Sequence, residues 1–214
     1  MVVAQPVVHR PEADAYIRTP RQLHGVAEML IVGPQNRRHG TIRLEVTPTG
    51  FRGVVLPIAV EGTELMWPQG RAKLAGPLAR LGAAAGVDIG APVGVYHSSA
   101  SLSADAVLDL DAETAARAHD SLRIGAQALK AFTADQQPVL WPEHFDVAVA
   151  VDGANYGVST GDSYHERPYA YVGPPTTQTG PFWNAPFGAV RSLEPGDDVD
   201  EIVDFFTRGK EHIT

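Results

Sequence analysis

Residues 141–153 read WPEHFDVAVAVDG, a stretch that predicts a β-strand with two different faces. Side chains point alternately to the two sides of a strand. One face carries Phe145, Val147, Val149 and Val151, and the other carries His144, Asp146, Ala148, Ala150 and Asp152. The first face is typical of a protein core. The imidazole and carboxylate beside small alanines on the second face indicate a candidate site.

The segment that follows the strand is expected to add polar side chains to the second face. Two residues apart on one strand, His144 and Asp146 are expected to hold their Cβ atoms about 6–7 Å apart and to converge on one bound atom or water. The loop predicted at 153–167 ends in GDSYHERPY and is expected to fold back over this face. The predicted catalytic set is therefore His144, Asp146 and His165.

The same region could hold a metal ion. Nitrogen and oxygen ligands without thiols suit a divalent cation such as Zn, Mn or Fe. The predicted metal ligands are His144, Asp146, Asp162, His165 and Glu166. A metal-free alternative uses a histidine oriented by a carboxylate as a general base near neutral pH.

A pocket for a small molecule is the preferred interpretation, at the His144 and Asp146 face and the 153–167 loop. Its predicted ligand-binding residues are Trp141, Tyr156, Tyr164, Tyr169 and Trp183. A metal-dependent or acid–base enzyme of the hydrolase or oxygenase type is one alternative. The other is an interaction module without a site, in which His144 and Asp146 only bond to each other or to loop backbone.

Composition narrows the classes of partner. With 214 residues, 44% hydrophobic and 20% charged, the chain is expected to form a folded core. A net charge of −8 argues against nucleic acid as a partner. The lack of cysteine excludes disulfides, zinc-thiolate sites and thiol nucleophiles. No apolar run approaches the ~18 residues of a membrane span, and no leader pattern opens the chain, so the expected location is the cytoplasm. The sequence carries no signal for oligomeric state.

The pattern along the chain predicts an α+β fold. Residues 1–18 are expected to be an extended or poorly ordered arm, followed by a single domain over 19–214 with a soft internal boundary near 105. Helices are predicted to start near 20, 112 and 199 and to cover a largely antiparallel sheet. Thr19 is expected to cap the first helix, with Pro20 in its first turn, and Gly33 and Pro34 to end it.

Two other histidines are weaker candidates for a site. His24 and Glu28 are four residues apart on the first predicted helix, where such a histidine is usually a surface or boundary residue. His119 lies off the apolar stripe of the second long helix, so it is predicted to be exposed.

The residues LWPEHFDVAVAVDGANYGVSTGD, PYAYVGP and FWN resemble a group of uncharacterised bacterial proteins. In that group a Trp-Pro-x-His-Phe-Asp stretch precedes a Gly-rich loop, a Tyr-rich strand and a Trp. The likeness covers about residues 138 to 190. It implies a shared fold and a shared site at Trp141, His144 and Asp146, and no reaction.

Overall fold

The computed structural model describes residues 11–97 and 102–213 and has an α+β architecture, as predicted. Its helices are α1 (Pro11–Val26), α2 (Gly33–His39), α3 (Leu78–Ala85), α4 (Ala112–Phe132) and α5 (Val199–His212). A π-helical segment, Ala27–Val32, joins α1 to α2. In the described part of the chain, none of the helices combines the length and the apolar character needed to span a membrane.

Ten strands form one antiparallel sheet, and two more form a small ribbon. The strands are β1 (Leu44–Thr47), β2 (Gly50–Gly53), β3 (Ala59–Glu61), β4 (Glu64–Trp67), β5 (Gly70–Lys73), β6 (Ala75–Pro77), β7 (Val107–Asp109), β8 (Val139–Trp141), β9 (Asp146–Val151), β10 (Ala154–Ser159), β11 (Tyr169–Gly173) and β12 (Ala189–Ser192). Strands β1 to β5 form one meander and β8 to β12 another, and β1 pairs with β8 to join them. The ribbon consists of β6 and β7.

Helices α4 and α5 pack on the apolar face of the sheet. Gly125 brings α4 close to β9 and β10, because a Cβ at this position would lie only 2.6 Å from the side chain of Val158. Gly209 brings α5 equally close to Val172 on β11. The two glycines let the backbones of α4 and α5 approach the strands. The core between these helices and the sheet is therefore thin and closely packed.

The N-terminal predictions need correction. Helix α1 begins at Pro11, so residues 11–18 are not an extended arm, and residues 1–10 lie outside the described residues. Pro20 lies inside α1 rather than in its first turn. Gly33 and Pro34 do not end the helix either, because α2 continues to Gly40, whose φ of 69° closes it. All six residues of the π-helical segment and the first three of α2 are buried, and this burial outweighs the low helix propensity of proline and glycine.

The two long C-terminal helices agree with their predicted starts. The side chain of Asp111 caps α4 by accepting a hydrogen bond from the Thr114 backbone N–H at 2.8 Å, and Asp198 caps α5 in the same way. His119, predicted to be exposed, is buried instead. Its Nε2 lies 2.9 Å from the carbonyl oxygen of Gly62, in the turn between β3 and β4.

Candidate functional site

The stretch WPEHFDVAVAVDG forms a hairpin rather than one strand. Strand β8 ends at Trp141, β9 begins at Asp146, and the two residues pair directly across the hairpin. The four-residue turn between them closes at Phe145, whose φ is 54°. His144 therefore belongs to the turn, so the prediction that it shares a strand face with Asp146 is wrong.

Within β9 the predicted alternation holds. Val147 and Val149 face the helices and are buried, while Asp146 and Ala148 face the opposite side. This second face is also covered, since Asp146 is only 4% exposed. The ring of Tyr171, two strands away, lies across Gly157, where any Cβ would be 2.6 Å from the ring, and its hydroxyl donates a hydrogen bond to Asp146.

Burial sets the ionisation of this pair. Loss of water raises the pKa of Asp146, while the hydrogen bond from Tyr171 and the nearby imidazole of His144 act to lower it. Burial and the adjacent carboxylate also raise the pKa of Tyr171 well above its ordinary value. The alanines and Gly157 beside Asp146 therefore make room for a tyrosine ring, and the carboxyl group is sealed beneath it.

The stability of the protein is expected to fall as pH rises through the raised pKa of Asp146. In the unfolded chain an aspartate ionises near pH ~4, whereas the folded state holds the Asp146 proton to higher pH. In that window the folded state binds more protons, so raising the pH favours unfolding. Urea denaturation at a series of pH values would show this fall in the wild type.

The variant Asp146→Asn is expected to lack this component of the pH dependence, because its amide oxygen still accepts from Tyr171 but does not titrate. Asp135→Asn, at an exposed position, provides the control and is expected to follow the wild type. Parallel curves for the wild type and Asp146→Asn would contradict the prediction.

The predicted loop over 153–167 is shorter than expected, because residues 154–159 form β10. In the remaining loop Asp162 has a structural role. Its Oδ1 accepts from the backbone N–H groups of Tyr164 (2.8 Å) and His165 (3.1 Å), and its Oδ2 accepts from the Tyr169 hydroxyl at 2.7 Å. Burial, followed by this carboxylate, raises the pKa of Tyr169.

Both ring nitrogens of His165 are engaged. Nδ1 lies 2.9 Å from the carbonyl oxygen of Arg167, and Nε2 lies 2.8 Å from the Ser192 hydroxyl on β12. Nδ1 also lies 3.3 Å from the backbone N–H of Arg167. These contacts tie the loop to the edge strand through His165, and its catalytic role stays a prediction.

The five predicted ligand-binding aromatic residues do not line one pocket. Tyr156 is 1% exposed in the core, against Phe132 at 4.7 Å and Phe206 at 5.9 Å between ring centroids. Trp183 lines a separate groove formed by residues of 174–188. The other three also lie elsewhere: Trp141 beneath the Arg43 guanidinium, Tyr164 against Phe187, and Tyr169 in the network with Asp162.

The predicted metal centre is not assembled. Within residues 11–97 and 102–213, no three His, Asp or Glu side chains come together in a way that could hold a metal ion. The five proposed ligands are separated by the hairpin turn, the covered face under Tyr171 and the bonds that hold His165. The described residues therefore give no support to the predicted divalent cation at this place.

Three of the predicted residues do meet in one cleft. His144, Asp162 and Glu166 line a cavity of about 260 Å³ between residues 16–24 of α1, the hairpin turn and the loop after β10. The other lining residues are Tyr16, Ile17, Pro20, Arg21, His24, Phe145, Thr160, Gly161 and Ser163. The cleft opens at the edge of the molecule where α1 meets the second meander, rather than over the sheet face.

His24 forms the buried side of this cleft, whereas the sequence predicts a surface or boundary residue. Only 7% of its side chain is exposed. Its ring stacks on Phe145, with centroids 5.3 Å apart and planes 9° apart, and its Nε2 is hydrogen-bonded to the carbonyl oxygen of Pro142. Nε2 also lies 3.6 Å from the carboxylate of Glu28.

The π-helical segment Ala27–Val32 places Glu28 in the interior. Glu28 is 1% exposed and adjoins Tyr96, whose pKa is raised by burial and by the carboxylates of Glu28 and Glu143. Single π-helical turns are frequent at functional sites. The one signal in the sequence was the placement of His24 and Glu28 within an otherwise apolar helical stretch, LHGVAEMLIV.

A second concavity of about 490 Å³ lies between α4 and residues 193–197. It is larger than the cleft beside His24. Its charged residues largely pair with one another, as Arg117 does with Glu113 at 2.6 Å and Arg167 with Glu194 at 3.8 Å. It therefore offers few unpaired groups for a ligand, and the smaller cleft is the candidate site.

Comparison with known proteins adds no assignment: no family model, curated protein or solved structure matches the chain. The resemblance to the uncharacterised bacterial group stays a prediction.

Proposed function

We propose that the protein binds a small molecule in the cleft lined by His24, His144 and the loop at 160–166. One observation supports this most directly: three separate chain segments bring polar side chains around an apolar floor formed by Phe145, Ile17 and Pro20. Ligand sites are usually concave and mostly apolar, with a few converging polar groups that fix orientation. A volume of about 260 Å³ restricts the ligand to a small molecule.

The polar groups in the cleft are positioned by contacts made elsewhere. Asp162 is held by two backbone N–H groups and by Tyr169, and His24 is held by Pro142 and Phe145. Glu166 and Arg21 stand exposed at the mouth. A ligand thus meets a site whose inner groups need little reordering on binding, which lowers the entropic cost of binding.

The test is an NMR screen of small, water-soluble fragments against protein labelled with ¹³C in its histidine rings. Binding fragments are expected to shift the signals of His24 and His144 together. The signals of His119, equally buried but remote from the cleft, serve as the internal control and are expected to stay unchanged.

A blocking variant sharpens the screen. Ser163→Trp places a large ring in the cleft from an exposed position and is expected to abolish the shifts. Ser103→Trp, at another exposed serine that does not line the cleft, is expected to leave them intact. Shifts that persist in Ser163→Trp, or a library with no fragment that moves His24, would overturn the proposed function.

A further inference from the structure

His24 has a fixed pattern of hydrogens. Its Nε2 faces the carbonyl oxygen of Pro142, and a carbonyl can only accept a hydrogen bond. Nε2 therefore carries the hydrogen, and in the neutral ring the lone pair lies on Nδ1. The stacked ring of Phe145 restricts rotation of the imidazole, so this arrangement is held in place.

The lone pair on Nδ1 is available to a bound molecule. Among the described residues, Nδ1 has no protein hydrogen-bond partner, and it is not one of the polar atoms sealed from solvent. The small exposed part of the ring lies in the cleft. Polar groups of buried side chains usually have a hydrogen-bond partner, which a molecule in the cleft would supply to Nδ1.

His119 shows that this arrangement is specific to the cleft. It too is buried, and its Nε2 also faces a carbonyl oxygen, that of Gly62. Its Nδ1, however, is fully sealed and meets no partner among the described residues. Burial has lowered the pKa of His119, as expected for an imidazole held neutral in the core.

Glu28 completes a proton-accepting arrangement. If Nδ1 of His24 takes a proton, the ring becomes an imidazolium whose Nε2 is 3.6 Å from the Glu28 carboxylate. The Glu28 carboxylate therefore lies on the side of the ring that is already oriented by Pro142. A histidine oriented on one nitrogen and open on the other, with a carboxylate at the oriented side, is the general-base arrangement.

We infer that His24 is a catalytic proton acceptor for the molecule bound in the cleft, with Glu28 as a positioning residue; this rests on the proposed function. In the step, the Nδ1 lone pair takes a proton from a hydroxyl or amine of the ligand. The O–H or N–H bond breaks, its electron pair stays on the oxygen or nitrogen, and the ring becomes an imidazolium. Because neutral Nδ1 only accepts, the ligand must carry such a donor at its inner end.

Diethyl pyrocarbonate tests access to Nδ1 in the free protein. An unprotonated imidazole nitrogen attacks its carbonyl carbon, ethanol and carbon dioxide are released, and the ring gains an ethoxycarbonyl group that mass spectrometry locates. His24 is expected to be modified and His119 to stay unmodified. Ser163→Trp is expected to slow the reaction at His24 several-fold and to leave exposed His144 reactive. A His24 as inert as His119 would overturn the inference.

Two further readouts separate catalysis from structure. Imidazole ¹⁵N spectra are expected to show Nε2 protonated and Nδ1 unprotonated in His24, and the opposite tautomer would refute the inference. In Glu28→Gln, the same spectra are expected to show a smaller share of the Nε2-protonated tautomer, because the carboxylate that faces Nε2 is lost. An unchanged tautomer ratio would remove Glu28 from the mechanism.

The ligand class is tested within the fragment screen. Fragments that shift His24 are expected to carry a hydroxyl or amino group, and equal shifts by fragments with acceptors alone would exclude proton transfer. Because the modification experiment uses the free protein, its failure differs from failure of the proposed function: a reactive His24 that no fragment reaches would overturn binding, whereas binding to an inert His24 would overturn catalysis.

Discussion

Replacing Phe145 by alanine is expected to lower the free energy of unfolding by about 3–5 kcal/mol, the usual cost of removing a fully buried aromatic ring. The ring is 2% exposed and is enclosed between two others. It stacks on His24 and meets the edge of Phe51 at a centroid distance of 5.3 Å and an angle of 84°. The cavity left behind has rigid walls, because α1 and β2 are both anchored in the main core.

The loss of Phe145 also affects the cleft. The ring is part of the cleft floor and holds the imidazole of His24 in its orientation. Fragments are therefore expected to bind Phe145→Ala more weakly than the wild type. The comparison is made at a temperature where the variant is still folded, so that the loss does not come from unfolding.

Urea denaturation of the Phe145 and Phe187 variants provides the measurement and its control. Phe187 is 43% exposed and contacts Tyr164 at the surface, so Phe187→Ala is expected to cost about 1 kcal/mol or less. Equal losses in the two variants would show that Phe145 is not part of the core.

The second large effect is expected at Gly33, where substitution by alanine would cost about 3 kcal/mol or more. A Cβ on Gly33 would lie 1.6 Å from the carbonyl oxygen of Gly90, a backbone atom that cannot rotate away. The Gly90 segment is itself held, since its N–H donates to the Met29 carbonyl at 3.0 Å and its carbonyl accepts from Arg37 at 3.1 Å. Relief of the clash must break one of these bonds or move the helix.

Gly40→Ala is the matched control for Gly33→Ala. Gly40 ends α2 with a φ of 69°, and no atom lies within 4 Å of a Cβ built there. Its substitution is expected to cost only the strain of the left-handed backbone, about 1–2 kcal/mol. Thermal unfolding of both variants would compare the cost of a steric clash at Gly33 with the cost of backbone strain at Gly40. A smaller loss of stability for Gly33→Ala than for Gly40→Ala would contradict the expectation.

Local signals in the sequence predicted the regular parts of the fold. The start of α4 near residue 112 is predictable because the Asp111 side chain that caps it and the apolar stripe that follows lie within one short segment. The fold class and the C-terminal helix followed from the same kind of periodicity. Such patterns are visible in a sequence because each depends on neighbours along the chain.

The hairpin at 142–145 was missed because its turn carries no glycine. The left-handed position is occupied by Phe145, a residue that rarely adopts a positive φ, and burial of its ring against His24 and Phe51 offsets the strain. Those partners come from distant parts of the chain. Since alternation continues through the turn in the sequence, one long strand was the simpler interpretation.

Three of the residues that the sequence indicates line the proposed cleft, and their functional roles stay predictions. His144, Asp162 and Glu166 do meet in one cleft, whereas Asp146 and His165 are engaged in contacts with Tyr171 and Ser192. His24 was missed because helical position alone did not show that its side of α1 would face the hairpin turn. Its burial follows from contact with Pro142 and Phe145, more than a hundred positions further along the chain.

The single junction between the two meanders has a consequence for how the chain folds. Every other pairing in the large sheet joins strands that follow one another directly, so these hairpins close short loops and can form early. Only β1 and β8 are far apart in the sequence, with β2 to β7, α3 and α4 between them. They pair with Leu44 opposite Leu140. We therefore expect docking of the two preformed meanders along this line to limit the folding rate.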